Sequence, residues 1–571
     1  MRYSGKSCST AKVVLTVVTV LLVAAAAAAT QPGTWAAKED LPQARWFAAT
    51  AEVNGIIYTI GGYSTDNVTG QVCGTVVAFD PAAGLWTEKT PMPTPRGQAA
   101  VAVVDGKIYV IGGSVDGEFT ATAVVEVFDP ATDRWKALYE PENIEIPSYP
   151  KRTPASLGPR SMPTALWSPA AAVVDGKIYV IGGGTGDPLG EYSVYSTVCV
   201  YDPANNNWDT AAEMPTARTM LGASVVDDMI YAVGGLTEAE FSAELEVYDP
   251  ATNAWTIAAD MPTARDCLAT AVVDGELYTF GGFDFGRVAS EVEVYTPGAD
   301  SWEQSTLMPY PRWGLSAAVV GDTIYLIGGG LTNTLTASNY VDTYDPNLYT
   351  YWTEVAAHLD GAHGSQWRTD LCAANFNGEL ANVELVLHAN TGDVHQTYTI
   401  DPSQQKSFAD VVGEMGVEGK GTLEFRSDQT LRVAGRTFNE GGDGTFGQFC
   451  DFQPMDAGLF KDDEAWLIGL RQEEGLFRTN LIFANTGIRK ATMFVELYRC
   501  SGGSSLHTLW VVDLMPGEVR QEIEPFAILA GEPNLGWGYA KVTVVEGAGI
   551  RISASVIDSR TNDATTIVAE R

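Results

Sequence analysis

The chain has 571 residues, of which 45% are hydrophobic, 10% aromatic and 19% charged. That is ample material for several packed domains and excludes a disordered acidic polymer. With 35 Lys and Arg against 71 Asp and Glu, the net charge is −36, which excludes the basic footprint of a nucleic-acid binder and disfavours docking on anionic lipid.

At the N-terminus Arg2, Lys6 and Lys12 precede an apolar run, Val13 to Val23, followed by Ala24 to Ala29. A basic stretch, a short apolar core and small residues make a secretory signal peptide over residues 1–29, cleaved near Ala29. A retained anchor is the alternative, since Val13–Ala29 is at the short limit for spanning a bilayer. The mature chain is expected to be secreted or periplasmic, with no membrane insertion after signal cleavage. Six cysteines remain: Cys73, Cys199, Cys267, Cys372, Cys450 and Cys500. Export permits disulfides, but no CxxC pair suggests zinc. Cys372 and Cys450 are a candidate bridge, with free buried thiols the alternative.

A sixfold repeat occupies the middle of the chain. Its diglycines are Gly61/Gly62, Gly112/Gly113, Gly182/Gly183, Gly234/Gly235, Gly281/Gly282 and Gly328/Gly329. Three residues before each first glycine sits a tyrosine: Tyr58, Tyr109, Tyr179, Tyr231, Tyr278 and Tyr325. A tryptophan follows 20 to 25 residues after each second glycine: Trp86, Trp135, Trp208, Trp255, Trp302 and Trp352. Each block reads as a four-stranded antiparallel sheet. AAVVDGKIYVIGG is two apolar strands joined by a tight Asp-Gly turn. The glycines allow a close approach, and Trp and Tyr supply apolar area. A DPATN-type turn joins the third and fourth strands. Such a sheet cannot bury both faces alone, but a ring of them can.

These blocks resemble kelch repeats. The resemblance implies a six-bladed kelch β-propeller over residues 30–356, with one departure, Thr296, from the YDP motif. Two segments compete to supply the last strand of the sixth blade. One is Thr34–Leu41 with Trp35, which we favour; the other contains Trp352.

Residues 357–366 read as a linker. Beyond it the chain repeats itself: Trp367-Arg368-Thr369-Asp370-Leu371 returns 110 residues later as Phe477-Arg478-Thr479-Asn480-Leu481, each followed by Ala-Asn. Alternating apolar strands predict two tandem immunoglobulin-like β-sandwiches, residues 367–465 and 466–571. The fold class is thus all-β. The pair resembles a tandem C-terminal module of large secreted bacterial proteins, and the resemblance implies attachment, spacing or partner binding.

No histidine lies between Trp35 and Trp352, so the copper chemistry of the galactose oxidase type, which needs His and Tyr ligands, lacks its histidines here. No cofactor or metal is expected. His358 and His363 fall in the expected linker, without a third ligand. The sharper pattern is arginine. Arg45, Arg96, Arg218, Arg265 and Arg312 each stand nine residues before the turn of the first hairpin, and Leu166 replaces Arg in blade three. In kelch proteins this stretch lies on the ligand-binding loop face, so the resemblance implies guanidinium groups around one channel mouth, suited to carboxylate or phosphate. The alternative is that each arginine bonds the neighbouring loop. Trp46, Trp313 and Trp167 follow Arg45, Arg312 and Leu166, and could stack on a sugar or pack between blades. Asp266 follows Arg265 as an acid/base or as its salt-bridge partner. Lys136–Ser161 lengthens one interblade loop and could act as a lid. Asn67-Val68-Thr69 fits a glycosylation acceptor.

Two functions compete. One is an exported recognition protein whose partner is a glycan or a protein, with no nucleic acid. The other is a metal-independent sugar enzyme, since six-bladed exported kelch proteins are similar to the N-acetylneuraminate mutarotase type. There proton transfer and an arginine clamp suffice.

Overall fold

The computed structural model describes residues 33–64, 71–116, 120–138, 161–186, 192–331, 336–360, 366–389, 392–441, 444–451, 458–500, 505–558 and 564–569. The signal segment, the Asn67-Val68-Thr69 acceptor and most of the Lys136–Ser161 insertion lie outside these residues.

Six four-stranded antiparallel sheets are present between Thr34 and Asp345. In the second, Ala100–Val104, Lys107–Ile111, Val125–Asp129 and Arg134–Ala137 follow one another from the inside out. The turn between its first two strands is Asp105-Gly106, with φ of 50° and 68°. This is the left-handed pair that a two-residue hairpin demands, and Asp and Gly adopt it at little cost.

Each sheet is buried on both faces by its neighbours. Ile108, Val110 and Phe128 pack with Tyr58, Ile60 and Val76 of the first blade. Tyr109, Ile111 and Val127 of the same sheet pack with Ile178, Val180 and Tyr201 of the third. This explains second strands that are apolar on both faces, where a one-sided sheet would alternate.

The ring closes with the N-terminal strand. Thr34–Ala37 pairs antiparallel with Val341–Asp345, setting Trp35 opposite Tyr344. The Trp35 indole N–H donates to the Thr306 carbonyl, as those of Trp255 and Trp302 donate to Ala212 and Ala259 one blade back. Trp35 is therefore the sixth blade tryptophan. Trp352 is not: it sits in the strand Tyr349–Asp360, opposite Glu424, because the outer slot of blade six is already filled.

That strand also corrects the linker at 357–366. His358 is paired with Gly419, and its ring lies 2.6 Å from Asp410. The first C-terminal module thus begins at Tyr349, and strand Gln366–Asn375 follows.

The two C-terminal modules share one topology. In each, the fourth, third, sixth and first strands lie side by side, as do the fifth, second, seventh and eighth; in the second module these are two separate sheets, and in the first the pairing of Leu359 with Trp367 joins them into one eight-stranded sheet. The second module starts its strands at Glu464–Gln472, and both its sheets feed one core containing Leu467, Val495, Val542, Leu481 and Phe483. The order differs from an antibody constant domain, where strands one, two, five and four share a sheet. The duplication reaches single hydrogen bonds. Asn375 donates to the Glu379 and Ile400 carbonyls, and Asn485 to those of Arg489 and Leu514. Cys372 is a free thiol; the side chain of Cys450, its candidate partner, lies outside the described residues.

Candidate functional site

The five arginines do not rim the mouth. Arg45, Arg96, Arg218, Arg265 and Arg312 are at most 1% exposed. Each donates to the carbonyl of the first glycine of its own blade: Gly61, Gly112, Gly234, Gly281 and Gly328. Four also bind a buried acid on the third strand. Arg218 meets Glu246 at 2.6 Å and Arg312 meets Asp342 at 2.8 Å; Arg96 and Arg265 meet Glu126 and Glu293. Such partners offset the cost of burying the charge; Arg45 has Val77 in place of the acid and is held by the carbonyls of Gln43, Gly61 and Thr75. In blade three both members are replaced, by Leu166 and Cys199, which share an apolar core. The anion funnel is thereby corrected: these guanidinium groups are spent on the scaffold. Asp266 is not the partner of Arg265, because Glu293 holds that place.

The arginine segment does more than bury a charge. Its carbonyl, or that of Leu166, accepts the N–H of the second glycine of the preceding blade: Gly62 to Arg96, Gly113 to Leu166, Gly183 to Arg218, Gly235 to Arg265, Gly282 to Arg312 and Gly329 to Arg45. The approach is so close that a Cβ on Gly281 would stand 2.3 Å from the Arg312 carbonyl oxygen. This contact, running once round the ring, is why the diglycine recurs.

Two residues after each arginine position the backbone turns left-handed: Phe47, Gln98, Ser168, Met220, Cys267 and Gly314 have φ of 47° to 59°. Each N–H donates to the carbonyl of the same position one blade back, at 2.7 to 3.1 Å, and Phe47 closes the circle on Gly314. A belt of backbone hydrogen bonds thus surrounds the channel axis. Non-glycine residues held left-handed are costly and cluster where side chains must be aimed. The belt side chains line a cavity of about 120 Å³.

Above the belt lies an aromatic cluster. Trp46 meets Trp313 edge-on at 4.6 Å, Phe47 at 5.4 Å and Tyr63 at 5.4 Å. Trp46, Trp167, Trp313 and Asp266 form backbone bridges to Tyr63, Gly184, Gly330 and Phe283, which directly follow the diglycines. Trp167 is buried on the opposite side of the ring, against Gly184. At the mouth the buried Trp46 Nε1, Gln98 Nε2 and Asp266 Oδ1 have no hydrogen-bond partner among the described residues. Burial holds the Asp266 carboxyl up at about 7, because ionising it there would leave a desolvated charge. The mouth is therefore aromatic and equipped with two donors and a carboxyl that titrates near neutrality.

Trp46, Trp313 and Asp266 were legible from the sequence as neighbours of the arginines. Gln98, Phe47, Cys267 and Tyr63 were not, although their fixed offsets from Arg and from the diglycine were available as a signal. A larger cleft of about 930 Å³ lies between blade six and the first C-terminal module. Its Arg426 is committed to Glu384 and Glu424, and its Asp428 to Asn382.

Comparison with known proteins agrees with this architecture. Residues 151–329 match the KLHDC2/KLHL20/DRC7 Kelch-repeats domain, and residues 45–93 and 95–138 match the Kelch motif. The chain is 32% identical over 225 residues to Kelch-like protein terF of Aspergillus terreus, covering 36% of this chain and 43% of that protein. It is 28% identical over 206 residues to Kelch-like protein 35 of Mus musculus (36% and 29% covered). It is 26% identical over 211 residues to Beta-scruin of Limulus polyphemus (36% and 21% covered). The chain thus spans less than half the length of these relatives. The solved structure of YjhT covers 53% of this chain and 95% of its own, with 17% identity and a TM-score of 0.43. The repeats are kelch repeats, and the ring they build is a kelch β-propeller.

Proposed function

We propose that this is an exported recognition protein that holds a segment of another protein at the mouth of its kelch ring. One observation carries the reading: Trp46 Nε1, Gln98 Nε2 and Asp266 Oδ1 are buried and unpaired beneath an aromatic cluster. Such groups weaken a fold unless a ligand or an ordered water completes their hydrogen bonds, and a ligand that displaces the water takes over those bonds. Two donors and a carboxyl suit the carbonyls and N–H groups of a peptide, and the rings suit its apolar side chains. The C-terminal pair, which we regard as a duplicated immunoglobulin-like sandwich, spaces or attaches the ring.

The test is a selection of displayed peptides on the mature chain, with a glycan array in parallel. Selected ligands should bind roughly tenfold more weakly to Trp46→Phe, Gln98→Ala or Asp266→Asn. Ligands indifferent to all three substitutions would remove the mouth as the site.

A sugar-mutarotase activity is the second reading. Asp266, poised near neutrality, favours it, while the burial of all five arginines deprives it of a carboxylate clamp. Anomer exchange of N-acetylneuraminate by the wild type, lost in Asp266→Asn, would bring it to the fore.

A further inference from the structure

The chain contains a series of two-residue hairpin turns with left-handed backbone at both positions. Asn54-Gly55, Asp105-Gly106, Asp175-Gly176 and Asp274-Gly275 have first-position φ of 50° to 55°. Asn and Asp are the residues that tolerate this position. The small hairpin of Phe283–Asp284 with Arg287–Val288 breaks the pattern: its turn is Phe285-Gly286, with φ of 31° and 95°. A phenyl ring therefore stands where the backbone disfavours it, and it is 80% exposed.

Two ion pairs brace the turn. Arg287 reaches Asp284 at 2.7 Å and Glu291 at 2.8 Å. The ring is also continuous with the mouth. Phe285 lies 5.1 Å from Phe241, Phe241 6.0 Å from Phe283, and Phe283 6.2 Å from Trp313, which touches Trp46. An aromatic track thus runs from an exposed tip to the candidate site. Free acids stand at one side of it: Glu238 and Glu240 are exposed in the turn before Phe241, while the buried Asp284 and the half-buried Glu291 are spent on Arg287. Arg287 is the only cation in these two loops, and its fork is already paired.

We infer that Phe285 is the anchor of the recognition surface, and that its partner is a basic, apolar protein segment closing over the Phe285–Phe241 track. The inference rests on the reading of the loop face as the binding face. A strained, solvent-facing aromatic ring gains most from burial in a partner. The exposed Glu238 and Glu240 and the net charge of −36 attract Lys and Arg and repel a second copy of this chain.

The experiment measures the peptides selected on the wild type against Phe285→Asn, with Ile257→Asn on the outer rim as control. Asn suits the turn, so Phe285→Asn should melt at the same temperature or higher while losing the ring. Selected peptides should carry Lys or Arg interleaved with large apolar residues and weaken as salt rises. They should bind Phe285→Asn at least about tenfold more weakly, and Ile257→Asn unchanged. Binding to Phe285→Asn within twofold of wild type overturns the inference; if the same peptides still lose affinity on Trp46→Phe, the mouth itself stands. Indifference to both variants overturns both. An array that returns glycans and no peptides overturns the partner class.

Discussion

Arg489 of the second C-terminal module reaches Asp342 of the closing blade at 2.9 Å, and Asp342 also holds the buried Arg312. The same guanidinium pairs with Asp40 at 2.7 Å and covers the Tyr340 ring at 4.0 Å. Asp40 follows the strand that shuts the ring, so one side chain pins both sides of the seam. Its loop is fixed by Asn485, which donates to the Arg489 carbonyl at 2.8 Å. In blades two, four and five the equivalent acid is Glu126, Glu246 or Glu293; only blade six, among the blades that carry an acid here, has the shorter Asp.

Arg489→Ala should therefore loosen the seam rather than the second module. A loss of about 2–3 kcal/mol is expected for breaking a largely buried pair. Hydrogen exchange should speed up in Thr34–Ala37 and Val341–Asp345 and stay unchanged in Ala491–Arg499. Faster exchange confined to the module would contradict this assignment.

The Leu166–Cys199 pair of blade three shows what an apolar substitute for the arginine–acid pair looks like. Arg265→Leu alone strands the Glu293 carboxylate and should cost about 3–5 kcal/mol. Adding Glu293→Cys should recover most of that loss. Denaturant melts of the two single variants and the double variant measure the coupling; additive losses would show that the charges are not paired in this way.

Gly281→Ala would force a Cβ to within 2.3 Å of the Arg312 carbonyl at φ of 57°. Because backbone, and not a flexible side chain, is in the way, a loss above about 3 kcal/mol is expected. Gly298 has open space around its Cβ position, and Gly298→Ala should lie within about 0.5 kcal/mol of wild type. Thermal melts of the pair separate close approach from a general intolerance of alanine.

Asp266 gives the mouth a pH signature. Its carboxyl titrates at about 7 in the fold against 3.8 unfolded. The folded state thus holds a proton that the unfolded state has released between these values. The stabilisation this represents is fully present below about pH 4 and is lost as pH rises through 7. Its ceiling is about 4 kcal/mol. Asp266→Asn should flatten that part of the stability profile; an unchanged slope between pH 4 and 7 would mean that the carboxyl is ionised throughout.

The propeller was legible because its signals are local and repeated. Diglycine, tyrosine, Asp-Gly turn and tryptophan each answer a constraint that every blade meets, and Trp35 announced its strand before its blade existed. Trp352 misled because its spacing fitted while its slot was taken, which only the pairing of Thr34 with Asp345 decides. The arginines misled for the opposite reason. A repeated cation on a loop face resembles a binding surface until the buried acid on the third strand, some 28 to 30 residues on, is seen beside it. The belt at Phe47, Gln98 and Cys267 carries no residue preference at all, because backbone conformation, not side-chain chemistry, repeats there.

Hydrogen exchange of the wild-type chain, with and without a selected peptide, tests the central claim most directly. Protection should concentrate at residues 46–47, 97–98, 266–268 and 283–288, around the mouth and its aromatic track. Protection confined to the turns on the other face, at 54–55, 105–106 and 274–275, or to the C-terminal modules, would contradict it.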